Sequence, residues 1–238
     1  MKTFKSNSDG LCNMLCQFLK FYYHNFKDDI RLKISNELIS NNVIKNKNIT
    51  NFKLKKYDDS WLFMIWFIKN NELKLYKIGL HSLDINKNIL NYVSEFSKNF
   101  FDDDTISVHI RTWNSSTNKK TNTNKAKRRN KKFNIDSYIH HMKKFEHKKF
   151  YVSMDNNKYN KLLTEQFKHN IIFYKINNEL SRLQNDMASL LLLSKNTIFI
   201  ASYKSTYSQI AYLYNNNLKT LIYGNTINES ISTPNPVK

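Results

Sequence analysis

Asn185 to Tyr212 reads NDMASLLLLSKNTIFIASYKSTYSQIAY, and its apolar pattern changes period twice. Asp186 to Leu193 is a helical run, Thr197 to Ala201 is a short apolar strand, and from Thr206 to Tyr214 the pattern is helical again. The same alternation extends to both sides. Upstream lie strand Ile106 to Ile110, helix Ile135 to Phe145, strand Phe150 to Ser153, helix Lys158 to Phe167 and strand Ile171 to Tyr174; downstream lies strand Thr220 to Tyr223. Short apolar strands separated by helices predict right-handed βαβ crossovers and a parallel sheet covered on both faces. The fold class is therefore α/β, with a Rossmann-like domain over residues 105–225.

Residues 1–104 are less regular. A helix is predicted from Leu11 to Tyr23, apolar on nearly all its faces and so buried. Strands Leu62 to Ile68 and Leu73 to Ile78 flank Lys69-Asn70-Asn71-Glu72, which reads as a hairpin turn. An amphipathic segment follows from Ile85 to Phe96. This part is expected to form a smaller N-terminal α/β domain, and residues 226–238, polar and containing both prolines, a flexible tail.

The 238-residue chain has 40% apolar residues, enough to fill a core, and a formal net charge of +19. That charge predicts attraction to nucleic acid, anionic lipid or phosphorylated small molecules without choosing among them. Lys, Asn and Ile are abundant throughout, which an AT-rich genome would also produce. Cys12 and Cys16 share one helical face and imply no disulfide framework. Asn13, Gln17 and Lys20 interrupt any signal-peptide core, and the longest apolar run, Trp61 to Ile68, is too short to cross a bilayer. A soluble, cytoplasmic protein without a membrane span is expected. The only glycines are Gly10, Gly79 and Gly224. Neither GxGxxG nor GxxxxGK can be written, so the dinucleotide fingerprint and the Walker P-loop are excluded.

Any nucleotide must be held another way, and SVHIRTW, Ser107 to Trp113, offers one. His109 and Arg111 are two residues apart on a strand, so both project from one face at its carboxyl end, where open α/β sheets bind ligands. An imidazole beside a fixed cation suits a nucleotide diphosphate. Ser202, Ser205, Thr206 and Ser208 cluster where strand Thr197 to Ala201 passes into a helix, a place where hydroxyls and free amides bind phosphate. Ser205 or Thr206 would serve equally as an N-cap. Asp186 opens its predicted helix, as an N-cap or a ligand contact, and Asp155 follows strand Phe150 to Ser153. The basic segment Asn114 to Lys132 reads as a loop, either contacting nucleic acid or an anionic glycan or simply solvated. His140, His141 and His147 with Glu146 diverge on a helix, and no metal site is predicted.

Four segments occur in an ordered set: GLCNML at Gly10 to Leu15, SVHIRTW, YVSMDN at Tyr151 to Asn156, and the long stretch from Asn185 to Tyr212. Together they resemble the fucosyltransferase superfamily that joins α1,2-, α1,6- and protein O-fucosyltransferases. The resemblance implies a GT-B glycosyltransferase with two Rossmann-like domains across a cleft. It would move fucose or a related hexose from a GDP-sugar on the C-terminal domain to a glycan hydroxyl. Such enzymes are inverting, need no metal, and use no cofactor beyond the donor substrate.

Carried across, the family's HxRRxD motif falls on His109, Arg111, Thr112 and Asn114, so Thr112 replaces its second Arg and Asn114 its Asp. The resemblance puts His109 at the guanosine, Arg111 at the β-phosphate, Asp186 at the guanine edge and Asp155 near the ribose. Ser205, Thr206 and Ser208 would cradle the pyrophosphate. Gly10 and Asn13 match a GLxN turn beneath the donor, with Met14 where a polar residue is usual. Asp9 reads as a turn residue or as a general base. Two other classes stay open: a basic nucleic-acid-binding protein using the Lys119 to Lys132 loop, and a catalytically degenerate nucleotide- or glycan-binding module.

Overall fold

The computed structural model describes Leu11, Cys12, Leu15, Cys16, Leu19, Val43 and residues 70–81, 83–112, 133–203 and 205–225. Gly10, Asn13, Met14, Asn114, the basic loop, the predicted strand Leu62 to Ile68 and the tail lie outside these residues.

The βα series is present as read, with small changes at its ends. The strands are β1 (Ile106–Ile110), β2 (Phe150–Met154), β3 (Ile171–Phe173), β4 (Ile198–Ala201) and β5 (Thr220–Tyr223). They form one five-stranded sheet, all neighbours parallel, in the order β3-β2-β1-β4-β5. The helices are α1 (Asn70–His81), α2 (Lys87–Phe100), α3 (Ile135–Lys143), α4 (Asn160–Phe167), α5 (Arg182–Leu193) and α6 (Thr206–Tyr214).

Strand alternation divides the core in two. Ile106, Val108, Ile110, Phe150, Val152, Ile200 and Ile222 face Tyr138, Ile139 and Met142 of α3 and Leu163 and Phe167 of α4. On the other face, Tyr151, Phe199, Ala201 and Leu221 meet α2, α5 and α6, together with Leu11, Cys12, Leu15, Cys16 and Leu19. Those five residues are helical and buried, and their spacing puts them on one helical face. Both cysteines are free, and burial pushes the Cys16 thiol up to about 12. The order of strands reverses between β1 and β4: the chain leaves β1 toward β2 on one side and returns to β4 on the other. That boundary is the topological switch point, where open sheets of this kind leave a crevice.

The predicted hairpin is not formed. Asn70 to His81 is a helix, so the expected strand Leu73 to Ile78 and its turn are corrected. The sequence alternates like a strand, but packing decides. α1 lies against α6, Leu80 is fully buried, and the Lys77 ammonium donates to the Asn215 carbonyl at the end of α6 (3.1 Å). The amphipathic segment from Ile85 is α2, opened by Asn86, whose Oδ1 accepts from the Asn88 amide, with Ile89, Val93 and Phe96 buried.

Helix α5 starts at Arg182 rather than Asp186. Ser181 caps it reciprocally with Gln184: the Gln184 N–H donates to Ser181 Oγ (3.3 Å) and the Ser181 N–H to Gln184 Oε1 (2.8 Å). Asp186 is thus one turn inside the helix and is not its N-cap.

After β5, the Gly224 N–H extends the ladder by donating to the Ala201 carbonyl (2.9 Å). A Cβ at this position would overlap the Tyr138 ring and lie 2.9 Å from Ile200 Cγ2. Gly224→Ala is expected to destabilise the fold by about 1–3 kcal/mol, the cost of overpacking a filled core. Urea denaturation of the two proteins checks it.

Candidate functional site

The sheet's two halves part at Ser202. β1 and β4 pair at Ser107 with Phe199 and Val108 with Ile200, a register that would next place Ser202 beside Ile110. In a parallel ladder the main chain of Ser202 would then donate to the His109 carbonyl and accept from the Arg111 amide. Its side chain does both instead. Ser202 Oγ donates to the His109 carbonyl and accepts from the Arg111 N–H, each at 2.8 Å. The freed Ser202 N–H donates to Ser208 Oγ (3.0 Å), and its carbonyl accepts from the Ser205 N–H (3.1 Å), which turns the chain into α6. Tyr138 of α3 reaches Ser202 Oγ from the opposite face at 2.6 Å. With the Ser202 proton directed at His109, the Tyr138 hydroxyl is the donor.

His109 is buried beside this junction. Its Nδ1 lies 2.6 Å from Ser208 Oγ, and its ring packs on Tyr207 with centroids 4.9 Å apart. Burial, then the charge of Arg111, lowers its pKa to about 3, so the imidazole is neutral at pH 7. With Nδ1 against Ser208, Nε2 is its other hydrogen-bonding atom.

Arg111 leaves β1 toward the loop after β2. Its Nη1 is 2.9 Å from Asp155 Oδ2, with side chains 30% and 7% exposed. Asp155 Oδ1 accepts from both the amide (2.9 Å) and the hydroxyl (2.8 Å) of Thr112, whose Oγ1 in turn accepts from Asn156 Nδ2 (2.6 Å). Asp155 therefore holds the guanidinium on one oxygen and the following loop residue on the other.

Of the four clustered hydroxyls, Ser202 and Ser208 point inward and serve the junction. Ser205, also buried, occupies the N-cap position of α6 without a side-chain capping bond, and Thr206 opens the helix half-buried. These two stand with the first-turn amides of α6 at the carboxyl end of the sheet.

Asp186 lies half-buried on α5, within electrostatic reach of Arg111. Burial raises its pKa to about 6 against the opposing pull of Arg182 and Arg111. Tyr207 donates to the Asp186 carbonyl (2.7 Å), linking α6 to α5. The Cys12 thiol is pushed up by burial, then by Cys16 and Asp186, with Arg111 opposing. Asn185, a residue that spacing alone did not single out, clamps the loop before α5. Its Oδ1 accepts from the Tyr174 hydroxyl and the Asn177 amide, and its Nδ2 donates to the carbonyls of Asn177, Leu180 and Ser181.

His109, Arg111, Asp155, Asp186, Ser205, Thr206 and Ser208 thus gather around the switch point, while Gly10 and Asn13 fall outside the described residues. Among those residues no group of three or more His, Cys, Asp or Glu is placed to hold a metal ion, and no helix is long and apolar enough to cross a membrane.

No protein-family model and no curated protein matches the chain, whereas solved structures do. The likeness is to fucosyltransferases. One is the NodZ α1,6-fucosyltransferase soaked with GDP-fucose, 11% identical with a TM-score of 0.49, covering 74% of this chain and 53% of that one. Another is the fucosyltransferase NodZ from Bradyrhizobium, 12% identical with a TM-score of 0.45, covering 63% and 48%. A third is POFUT1 in complex with GDP-fucose, 14% identical with a TM-score of 0.44, covering 65% and 49%. The chain spans about half the length of these structures.

Asp186 gives a direct test of these electrostatics. A carboxyl whose folded-state pKa is raised from 3.8 to about 6 favours folding in its protonated form, so its contribution falls as pH rises through that window and is lost above it. Asp186→Asn is expected to flatten the pH dependence of stability between these values. Above the window it should be more stable than wild type by about 1–2 kcal/mol after allowance for partial solvation. Chemical denaturation across the pH range measures both.

Proposed function

We propose that the crevice between β1 and β4 binds the diphosphate of a GDP-sugar and that the chain transfers the sugar, fucose or a related hexose, to a glycan hydroxyl. The observation that carries this reading is the convergence of Arg111, at the end of β1, with Ser205 and Thr206, at the N-terminus of α6, on the switch point of a parallel sheet. A cation, two hydroxyls and the first-turn amides of a helix make a polyanion site without a glycine-rich loop. The ordered motifs of the sequence support the choice of a GDP-sugar.

In this reading the bond between the sugar C1 and the β-phosphate oxygen breaks while the acceptor oxygen bonds to C1 from the opposite side, and the acceptor proton passes to a base. Negative charge grows on the departing diphosphate. Arg111 meets that charge, so it stabilises the transition state more than the ground state. Asp155 restrains the guanidinium before the ligand arrives, which fits a positioning role for this residue. The neutral His109 contributes through Nε2, and Asp186, with its raised pKa, contacts the base edge from α5.

Calorimetric titration with GDP and UDP, followed by donor hydrolysis assays, tests the reading. GDP is expected to bind in preference to UDP, and Arg111→Ala to weaken GDP about 10- to 100-fold, as the loss of charge-assisted hydrogen bonds implies. A folded protein that does not bind GDP overturns the proposal. Binding without turnover would replace transfer by a nucleotide-binding module.

A further inference from the structure

The structure assigns to Ser202 a task beyond that of a phosphate donor: it is the positioning residue for Arg111. This inference rests on the nucleotide reading of the crevice for its functional consequence, and on the sheet geometry for its cause.

Three constraints meet at this hydroxyl. Arg111 is the first residue beyond β1, and its amide is held by Ser202 Oγ at 2.8 Å across 91 residues of chain. The same oxygen donates to the His109 carbonyl, so both peptide groups flanking Ile110 are fixed from one atom. Tyr138 supplies a third hydrogen bond from α3. A hydroxyl has one proton and two lone pairs, and donating to His109 while accepting from Arg111 and Tyr138 uses all three. Ser202 is 1% exposed, so no water replaces a lost partner at the surface. It therefore has no remaining capacity for a ligand, and its effect on one passes through the placement of Arg111.

The chemistry selects the side chain. Alanine removes the donor and the acceptor together, so the Arg111 amide and the His109 carbonyl both lose the bond that Ser202 gives them. Threonine keeps the hydroxyl. Cysteine keeps the approximate volume and weakens both bonds. Misplacement of a catalytic cation by a fraction of an ångström is felt in binding and rate, whereas a residue that merely fills space shows itself only in stability.

The test is a double-mutant cycle on the full chain, read by GDP titration alongside thermal melts. Ser202→Ala is expected to weaken GDP at least about tenfold, and Ser202→Thr to recover most of that loss. In the Arg111→Ala background, Ser202→Ala is expected to cause no further loss, because the two changes remove one interaction. Unchanged affinity in Ser202→Ala, or losses that add in full, overturns the assignment. If Ser202→Ala does not fold, Ser202→Cys takes its place in the cycle with the same criteria. Exchange of the Arg111 amide with deuterium gives a readout that needs no ligand: it should quicken in the Ser202 variant while the Val108 amide stays protected. Wild type that fails to bind GDP refutes the nucleotide reading alone, and unaltered Arg111 exchange in the variant refutes the positioning role alone.

Discussion

A hydroxyl standing in for a peptide group organises this molecule. Where β4 would go on pairing with β1, Ser202 Oγ takes the place of its own main chain, satisfying the His109 carbonyl and the Arg111 amide. The substitution lets two requirements coexist. The buried polar groups of β1 keep partners, which they need in a core with no water to replace them. The β4 backbone is released to begin α6, so the strands diverge at the point where a crevice is useful. Position 208 completes the exchange, its hydroxyl receiving the amide that β1 gave up and contacting His109 as well.

Charge is arranged around this junction so that little is left uncompensated. Arg111 rests on Asp155, and Asp155 is also held by Thr112, so the ion pair sits in a network with both carboxylate oxygens occupied. The pair fixes one Nη of the guanidinium and leaves its direction set before any further contact is made. His109 is kept neutral by burial and by its cationic neighbour, so it adds a hydrogen-bonding edge without adding charge. Polar networks of this kind are stabilising only when every member is partnered. Ser202, Ser208, Tyr138 and Asp155 act together on that condition.

Much of the sheet is legible because parallel strands buried on both faces leave short runs dominated by apolar residues: Phe-Tyr-Val and Ile-Phe-Ile-Ala are hard to mistake when helices separate them. The same pattern puts Arg111 just past the end of β1 and Thr206 at the start of α6. The uses of the hydroxyls were not legible. Ser202 and Ser205 are the same residue type three apart, and only the partners of Ser202, from residues 109 to 138, show that one bonds β1 while the other stands at the N-cap position of α6 without a side-chain capping bond. Asn185 looks like an ordinary helical polar residue until the loop it clamps is folded over it. The misreading of Asn70 to His81 has a different origin. Leu73, Leu75 and Tyr76 fit two periods, and the choice was made by contact with α6, a tertiary preference that overrides a local one. The Ser181–Gln184 capping box is the sequence signal that starts this helix at Arg182, ahead of Asp186.

The strand order also bears on how the molecule is assembled. β1 and β2, and β2 and β3, are neighbours in sequence as well as in the sheet, but β4 reaches β1 only after β2, β3 and α5 have been traversed. Closing so long a loop is entropically dearer and slower than closing the earlier ones. Because every hydrogen bond of Ser202 to β1 waits on that event, a chain arrested with three strands paired would contain Arg111 and Asp155 but no crevice between β1 and α6. The junction at Ser202 is in this sense a late event of folding, withheld until the two halves of the sheet have met.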